Sequence, residues 1–353
     1  MNRMKKLGKI IIVTYDINGV GGIERVAQMT KEAVHQNYTT KVLNIDGSKL
    51  KKLIYIIYLN LLVMFDRNTV FIWMHPRIRH FILVNVKSDL VWAYGIDVWS
   101  QRAFKRSVGI KRAKRVLTIS RFTENRLHEH CPSLSISRVP LYSSLECYQN
   151  SSKNCVIKNS DREFRIITVS RLSKEDNYKN IDLVIEATNI LKHRSLAICL
   201  TVIGDGDDKI RLQQIAKSFG LENNVRFLGQ ISDKDLKQNL SVSDLFVLPS
   251  ETRELDNHSW VGEGLGIVYL EALSFGVPVL GSNVGGQTDI IRSGENGFAI
   301  TPSSLEIANK IEWCMNHGAE YELIRKNAPQ VIRRTYNKEN FQTELLKNID
   351  KLS

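Results

Sequence analysis

The sequence predicts an α/β chain made of two doubly wound, parallel-sheet domains. Its 353 residues, 43% of them hydrophobic, are too many for one typical core and comfortable for two. The second half alternates short β-branched runs with amphipathic stretches of ten or so residues, which means a parallel sheet covered on both faces. The first half repeats the same alternation with more noise. A charged fraction of 24% and modest glycine and proline content belong to a globular chain.

In the first half, buried strands are expected at 10–14, 41–44, 70–74, 90–93 and 116–119, with the first helix at 22–35. The basic start, 1–9, is followed by an apolar run too short for a secretory core, so 10–13 is taken as a strand. A longer apolar run, 53–65, contains Asn60 and is too short to cross a bilayer. It is expected as a buried helix, with a membrane-dipping segment as the alternative. The polar stretch 143–162 breaks the pattern and is taken as the linker. Beyond it, strands are expected at 166–170, 198–203, 225–228, 245–248, 277–280 and 298–300. Helices are expected at 181–191, 209–219, 233–240 and 267–275. The domains are therefore 1–150 and 151–335, with a C-terminal helical piece, 336–353, expected to pack back on the first domain. Two such domains in tandem set two carboxyl-end crevices opposite one another, so the expected active site lies between them.

Five cysteines at 131, 147, 155, 199 and 314 show no C-x-x-C spacing, which argues against a disulfide framework or a zinc site and for a reducing compartment. The net charge of +12 is uneven: residues 1–150 hold 24 Lys and Arg against 10 Asp and Glu. The densest run, Arg102 to Arg115, is either a solvated helix face or a contact for a polyanion, membrane lipid or nucleic acid. An anionic membrane surface is the expected partner there, and nucleic acid is not.

The strongest chemical constellation is Val261-Gly-Glu-Gly-Leu-Gly-Ile-Val-Tyr-Leu-Glu271. Glu263 falls in a Gly-rich turn (Gly264, Leu265, Gly266) before a helix, and Glu271 just over a turn inside it. Free amides at Gly266, Ile267 and Val268 would form an anion site at the positive end of the helix dipole. Two glutamates alone would be ordinary helix-start acidity. Arg171 and Lys179, at the mouth of another strand-to-helix loop, can neutralise a diphosphate as a fork and a point charge. Gly204-Asp-Gly-Asp-Asp208 is read as a tight turn in preference to a metal site. In the first half, Gly21 and Gly22 follow the first strand and let backbone amides approach a phosphate, although G-x-G-x-x-G is absent.

Glu263-x7-Glu271, Arg171 with Lys179, Gly204-Asp-Gly and Gly21-Gly22 together resemble the family 4 retaining glycosyltransferases of GT-B fold, two Rossmann-like domains facing across a cleft. Phe227-Leu-Gly-Gln-Ile231 and Gly285-Gly286 fit the same pattern, which is close over 165–300 and looser before it. The resemblance implies an acceptor-binding first domain and a nucleotide-sugar-binding second domain. It gives Glu263 the hydroxyls of the transferred sugar, helped by amides after Gly264, and Glu271 the ribose. Arg171 and Lys179, with Gly21 or Gly22, would hold the diphosphate. The Ile231 backbone would meet the base, with Asp233 reading an exocyclic amine of guanine. Tyr94-Gly-Ile-Asp97-Val-Trp99 resembles the segment facing the donor sugar or acceptor in bacterial polysaccharide and lipid-sugar transferases, although Tyr94 stands where histidine is usual and His75 is a distant substitute. The loop 251–262 is longer than typical, and Thr288-Asp289 replaces a usual Pro-Glu.

The expected function is retaining, metal-independent transfer of a hexose-type sugar from a nucleotide-diphosphate donor to a hydroxyl of a glycan or lipid-linked acceptor, in cell-surface polysaccharide assembly. No cofactor beyond that co-substrate is expected, and the expected location is the cytoplasm or the inner face of the plasma membrane. The alternatives are a non-catalytic glycan- or polyanion-binding protein on the same fold and a nucleotide-sugar epimerase.

Overall fold

The computed structural model describes residues 8–19, 21–66, 68–143, 145 and 163–352. The chain divides into two compact units: 1–142 with 254–260 and 336–353, and 143–253 with 261–335.

Unit 1 opens with β1 (Lys9–Thr14), α1 (Gly22–His35), β2 (Thr39–Asn44), α2 (Lys49–Phe65), β3 (Thr69–Trp73) and α3 (Pro76–His80). It continues with β4 (Asp89–Ala93), α4 (Gln101–Arg106), α5 (Gly109–Arg112), β5 (Arg115–Thr118), α6 (Arg121–His130) and β6 (Ile136–Arg138). The strands form one parallel sheet in the order β2-β1-β3-β4-β5-β6. Ile10 to Val13 are buried to a man, because helices cover both faces of a parallel sheet and leave no polar side. α1 buries Val26, Met29, Thr30, Ala33 and Val34, a single stripe at helical spacing.

A buried ion pair sits beneath this unit. Arg79 Nε donates to Asp89 Oδ2 at 2.6 Å, and both side chains are fully buried. Trp73 Nε1 and the Lys114 amide also donate to Asp89, at 3.0 and 2.8 Å. Arg79 spends its remaining donors on the carbonyls of Ile82 and Arg112. One network therefore ties α3 to β3, β4, α5 and the start of β5.

Unit 2 carries β7 (Phe164–Val169), α7 (Ile181–His193), β8 (Ile198–Ile203), α8 (Lys209–Ser218), β9 (Val225–Gly229), α9 (Asp233–Val242) and β10 (Leu245–Leu248). A small two-stranded hairpin follows, β11 (Arg253–Glu254) with β12 (Trp260–Val261), shared with unit 1, and then α10 (Ile267–Ser274), β13 (Val279–Ser282), β14 (Gly297–Ile300), α11 (Ser304–Asn316) and α12 (Gly318–Thr335). The large sheet is again parallel, in the order β14-β13-β10-β7-β8-β9. The last helix, α13 (Lys338–Asp350), belongs to unit 1. There Phe341 stacks 6.3 Å from Trp92, and Asp350 accepts from the Tyr38 hydroxyl.

The division between the units differs from the expected boundary at 150/151. It falls after Tyr142, and of the linker 143–162 only Ser143 and Leu145 are among the described residues. The hairpin tip 254–260 also groups with unit 1. The cause is Trp260, whose ring lies 6.4 Å from Trp99 and 6.0 Å from Phe122, with the Arg126 guanidinium 4.4 Å over it.

The expectation of a buried helix at 53–65 needs correction. α2 is a helix, but only Leu59 and Val63 of it are buried. Cys131, Cys199 and Cys314 are free thiols. Among the described residues, no helix is long and apolar enough to cross a membrane.

Candidate functional site

In an open parallel sheet, ligands bind outside the carboxyl ends of the strands where the strand order reverses. In unit 2 that point lies between β7 and β10, because β8 and β9 run off one side and β13 and β14 off the other. The loops leaving β7 and β10 carry Arg171, Lys179 and Glu263. They are also stitched together: Asn180, in the left-handed region at φ 55°, donates from its side chain to the Pro249 carbonyl at 3.0 Å. The Glu251 amide donates to the Tyr178 carbonyl at 2.7 Å.

Asp176 organises the two cations, and sequence reasoning missed it. Its carboxylate is buried and lies 3.0 Å from Arg171 Nε and 3.9 Å from Lys179 Nζ. Arg171 is 76% exposed and Lys179 only 14%, so the first is an outer cation and the second a wall of the site. The available signal was the i, i+3 spacing of Asp176 and Lys179, which one turn of helix brings together.

Glu263 faces this group. Burial pushes its carboxyl above the usual range, Asp176 adds to that, and Lys179 and Arg171 oppose it. The same carboxylate, after burial, helps to push up the hydroxyls of Tyr178 and Tyr269. Tyr269 donates its hydroxyl to the Leu248 carbonyl, which pins α10 to the end of β10. The Gly262–Gly266 turn is anchored by the Glu263 amide donating to Thr252 Oγ1 at 3.4 Å and its carbonyl accepting from Gly286 at 2.9 Å.

Gly266 opens α10 with φ 84°, and a Cβ there would fall 2.4 Å from the Tyr269 ring. Among the described residues no side-chain bond caps the helix, and no acid sits in its first turn, which leaves the Ile267 and Val268 amides at a positive dipole end. Glu271 is the fifth residue of α10 and is buried. Gly204 follows β8 with φ 131°, where a Cβ would lie 1.7 Å from the Ser170 carbonyl oxygen, so this turn accepts only glycine.

The acids after Gly204 are engaged locally. Asp205 takes Lys209 and the Gly206 amide, Asp207 takes the Lys174 amide, and Asp208 takes Arg211. Among the described residues no group of three or more His, Cys, Asp or Glu could hold a metal ion. Ile231 follows β9, and Asp233 is exposed in the first turn of α9, where Ser232 Oγ accepts from the Asp235 amide.

Unit 1 has its own reversal point, between β1 and β3. Gly21 caps α1 in extended backbone, and a Cβ at Gly22 would meet open space. His75 follows β3, with its ring 5.6 Å from Tyr15. Burial lowers its imidazole pKa, opposed by Asp97 and helped by Arg77. Tyr94 stacks on Trp92, and its hydroxyl is buried with no hydrogen-bond partner among the described residues. Burial, Asp97 and Glu24 all push that hydroxyl up. Asp97 accepts from the Tyr94 and Gly95 amides at 3.2 and 2.6 Å, which makes it the cap of its own turn. The structure therefore brings Tyr94, Asp97, His75 and Glu24 together. His75 looked distant only along the chain, and the adjacency of β3 to β1 and β4 removes the distance.

Two doubly wound parallel units, each with polar residues gathered at its strand reversal, define a two-domain Rossmann-like protein of GT-B fold. Within that class the chain belongs to the glycosyl transferases group 1, whose family model matches residues 153–331, just over half of the chain. It is 30% identical over 139 residues to a GDP-mannose-dependent alpha-(1-6)-phosphatidylinositol monomannoside mannosyltransferase of Mycobacterium tuberculosis, covering 39% of this chain and 35% of that one. It is 31% identical over 134 residues to the amylovoran biosynthesis glycosyltransferase AmsK of Erwinia amylovora, covering 38% and 31%. The matches thus span about a third of the length of these relatives. In fold, the chain is similar to HepE of Anabaena, solved in complex with UDP-glucose, with a TM-score of 0.77 at 18% identity over 98% of this chain and 100% of that one.

Proposed function

We propose that the chain is a retaining, family 4 glycosyltransferase that moves a hexose-type sugar from a nucleotide diphosphate to a hydroxyl of a glycan or lipid-linked acceptor. The observation that carries this is the gathering of Arg171, Lys179 and Glu263 around one buried aspartate at the strand reversal of unit 2. Two cations and an uncapped helix N-terminus supply a leaving diphosphate with preorganised positive charge, and a carboxylate beside them accepts from sugar hydroxyls. In this assignment Glu271 takes a ribose hydroxyl, and Gly204 and the Ile231 backbone border the nucleotide. Tyr94 and Asp97, with His75, are assigned to the acceptor or the transferred sugar.

In the transfer, the bond from the anomeric carbon to the diphosphate oxygen breaks and one to the acceptor oxygen forms on the same face. The acceptor's proton passes to the departing diphosphate. Glu263 positions the sugar and is not an acid/base catalyst. Charge neutralisation by Arg171 and Lys179 makes a metal or further cofactor unnecessary to this scheme. Assembly of a surface polysaccharide or glycolipid is the favoured setting, since the two relatives are an amylovoran biosynthesis glycosyltransferase and a phosphatidylinositol monomannoside mannosyltransferase.

A thermal-shift panel of UDP- and GDP-sugars tests the proposal. A donor at a hundred times its Kd stabilises the protein by about 2.7 kcal/mol, which is a rise in Tm of roughly 5–10 °C for a unit of this size. One base is expected to give that shift, and no shift with any nucleotide sugar would count against a donor site.

A further inference from the structure

We propose that the outer face of α2 is a membrane-docking surface that inserts into the interface of an anionic bilayer, independently of the donor site. A crossover helix of a doubly wound domain should bury one apolar stripe and show solvent a polar one. α2 instead is apolar on both faces. Leu50, Ile54, Ile57, Leu61, Met64 and Phe65 recur at helical spacing on the side opposite buried Leu59 and Val63. Leu50, Ile57 and Phe65 are 67%, 54% and 77% exposed. Single exposed leucines need no explanation, but a continuous stripe of this length does.

The stripe widens through Asn60. Its side-chain nitrogen donates to the Phe81 carbonyl at 3.1 Å, and its oxygen accepts from the Leu83 amide at 2.8 Å. This holds the α3–β4 loop against α2, where Phe81 and Leu83 are themselves exposed, Leu83 by 79%.

Cations border the apolar surface on both sides. Exposed Lys49, Lys51 and Lys52 form the first turns of α2. On the other side, exposed Arg112 donates from Nη2 to the His80 carbonyl at 3.0 Å, which ties α5 to the residue before Phe81. Between Asp66 and Glu124 the chain carries twelve Lys and Arg and two acids, Asp89 and Asp97. Asp89 is consumed by Arg79, and Asp97 caps its own turn. An apolar helix face with a basic border fits an anionic lipid surface. A second copy of the chain would set this basic border against itself. The Arg102–Arg115 cluster marked by the sequence then acts as the border, and α2 as the inserted element.

The test is flotation of the full chain with vesicles of phosphatidylcholine alone and of phosphatidylcholine with phosphatidylglycerol, at low and high salt. The wild-type chain should float with the anionic vesicles and not with the neutral ones. Ile57→Glu with Leu61→Glu should cut that binding at least about tenfold, without lowering Tm, since both side chains already face solvent. Lys51→Glu with Lys52→Glu should weaken it at low salt and flatten its salt dependence. Binding by the Ile57→Glu/Leu61→Glu variant equal to wild type would overturn the proposal. So would an absence of wild-type binding, including the case where sizing shows a dimer that the same variant splits.

Discussion

Glu263→Gln is expected to lower turnover by about 10²–10³ while leaving the donor-free protein at least as stable as wild type. The side chain keeps its shape and loses its charge, so hydroxyls that need a carboxylate acceptor are held less well in the transition state. The stability half of the expectation follows from the direction of the carboxyl's shift. Burial raises it above 4.5, and Lys179 and Arg171 recover only part of the cost. A carboxyl whose folded pKa is raised favours the folded state while protonated, and that contribution is lost as pH rises from the unfolded value through the folded one. The variant pays no such cost. Its Tm should match wild type below about pH 4.5 and exceed it at neutral pH, with the gap opening as pH climbs. Turnover and a pH series of Tm values check both halves. Full activity in the variant would remove Glu263 from the site, and a fall in Tm at neutral pH would show that its charge stabilises the fold.

Arg79→Leu is expected to destabilise unit 1 by about 3–5 kcal/mol, because it strands a buried carboxylate. Asp89 would keep the Trp73 indole and the Lys114 amide as donors but lose its neutralising charge. The carbonyls of Ile82 and Arg112 would lose a donor too. Replacing the pair together, Arg79→Leu with Asp89→Leu, should recover part of the loss and no more, since the indole and the amide then go unpaired. Urea denaturation of the three proteins measures this. A single variant within about 1 kcal/mol of wild type would mean that water reaches Asp89.

These two sites differ in how far the sequence foretold them. Fully buried strands were legible because their residues are apolar on both faces: 198–203 and 245–248 are observed with the bounds expected. α1 is likewise observed with the expected bounds, 22–35. β13 begins two residues later than expected. Val277 gives its amide to Ala272 at the end of α10, and Pro278 has none to give. The short β6, only partly buried, carried too weak a pattern to be seen.

At the candidate site, the polar residues on glycine-marked loops stood out, as Glu263, Arg171 and Lys179 did. Asp176 did not, since its importance comes from facing two cations in a folded loop. The surroundings of His75 and Trp260 were not legible for a related reason, because what they touch is set by the fold and not by neighbours in sequence. The exposure of α2 was misjudged because apolarity says that a segment avoids water, without saying what covers it.

The most direct measurement is calorimetric titration of UDP and GDP into the wild-type chain and into Arg171→Ala with Lys179→Ala. A diphosphate held by these two cations should bind the wild-type chain and lose at least about a hundredfold in affinity in the double variant, from two charge-assisted contacts of roughly 1.5–3 kcal/mol each. Equal affinity in the two proteins would place the nucleotide elsewhere and contradict the account.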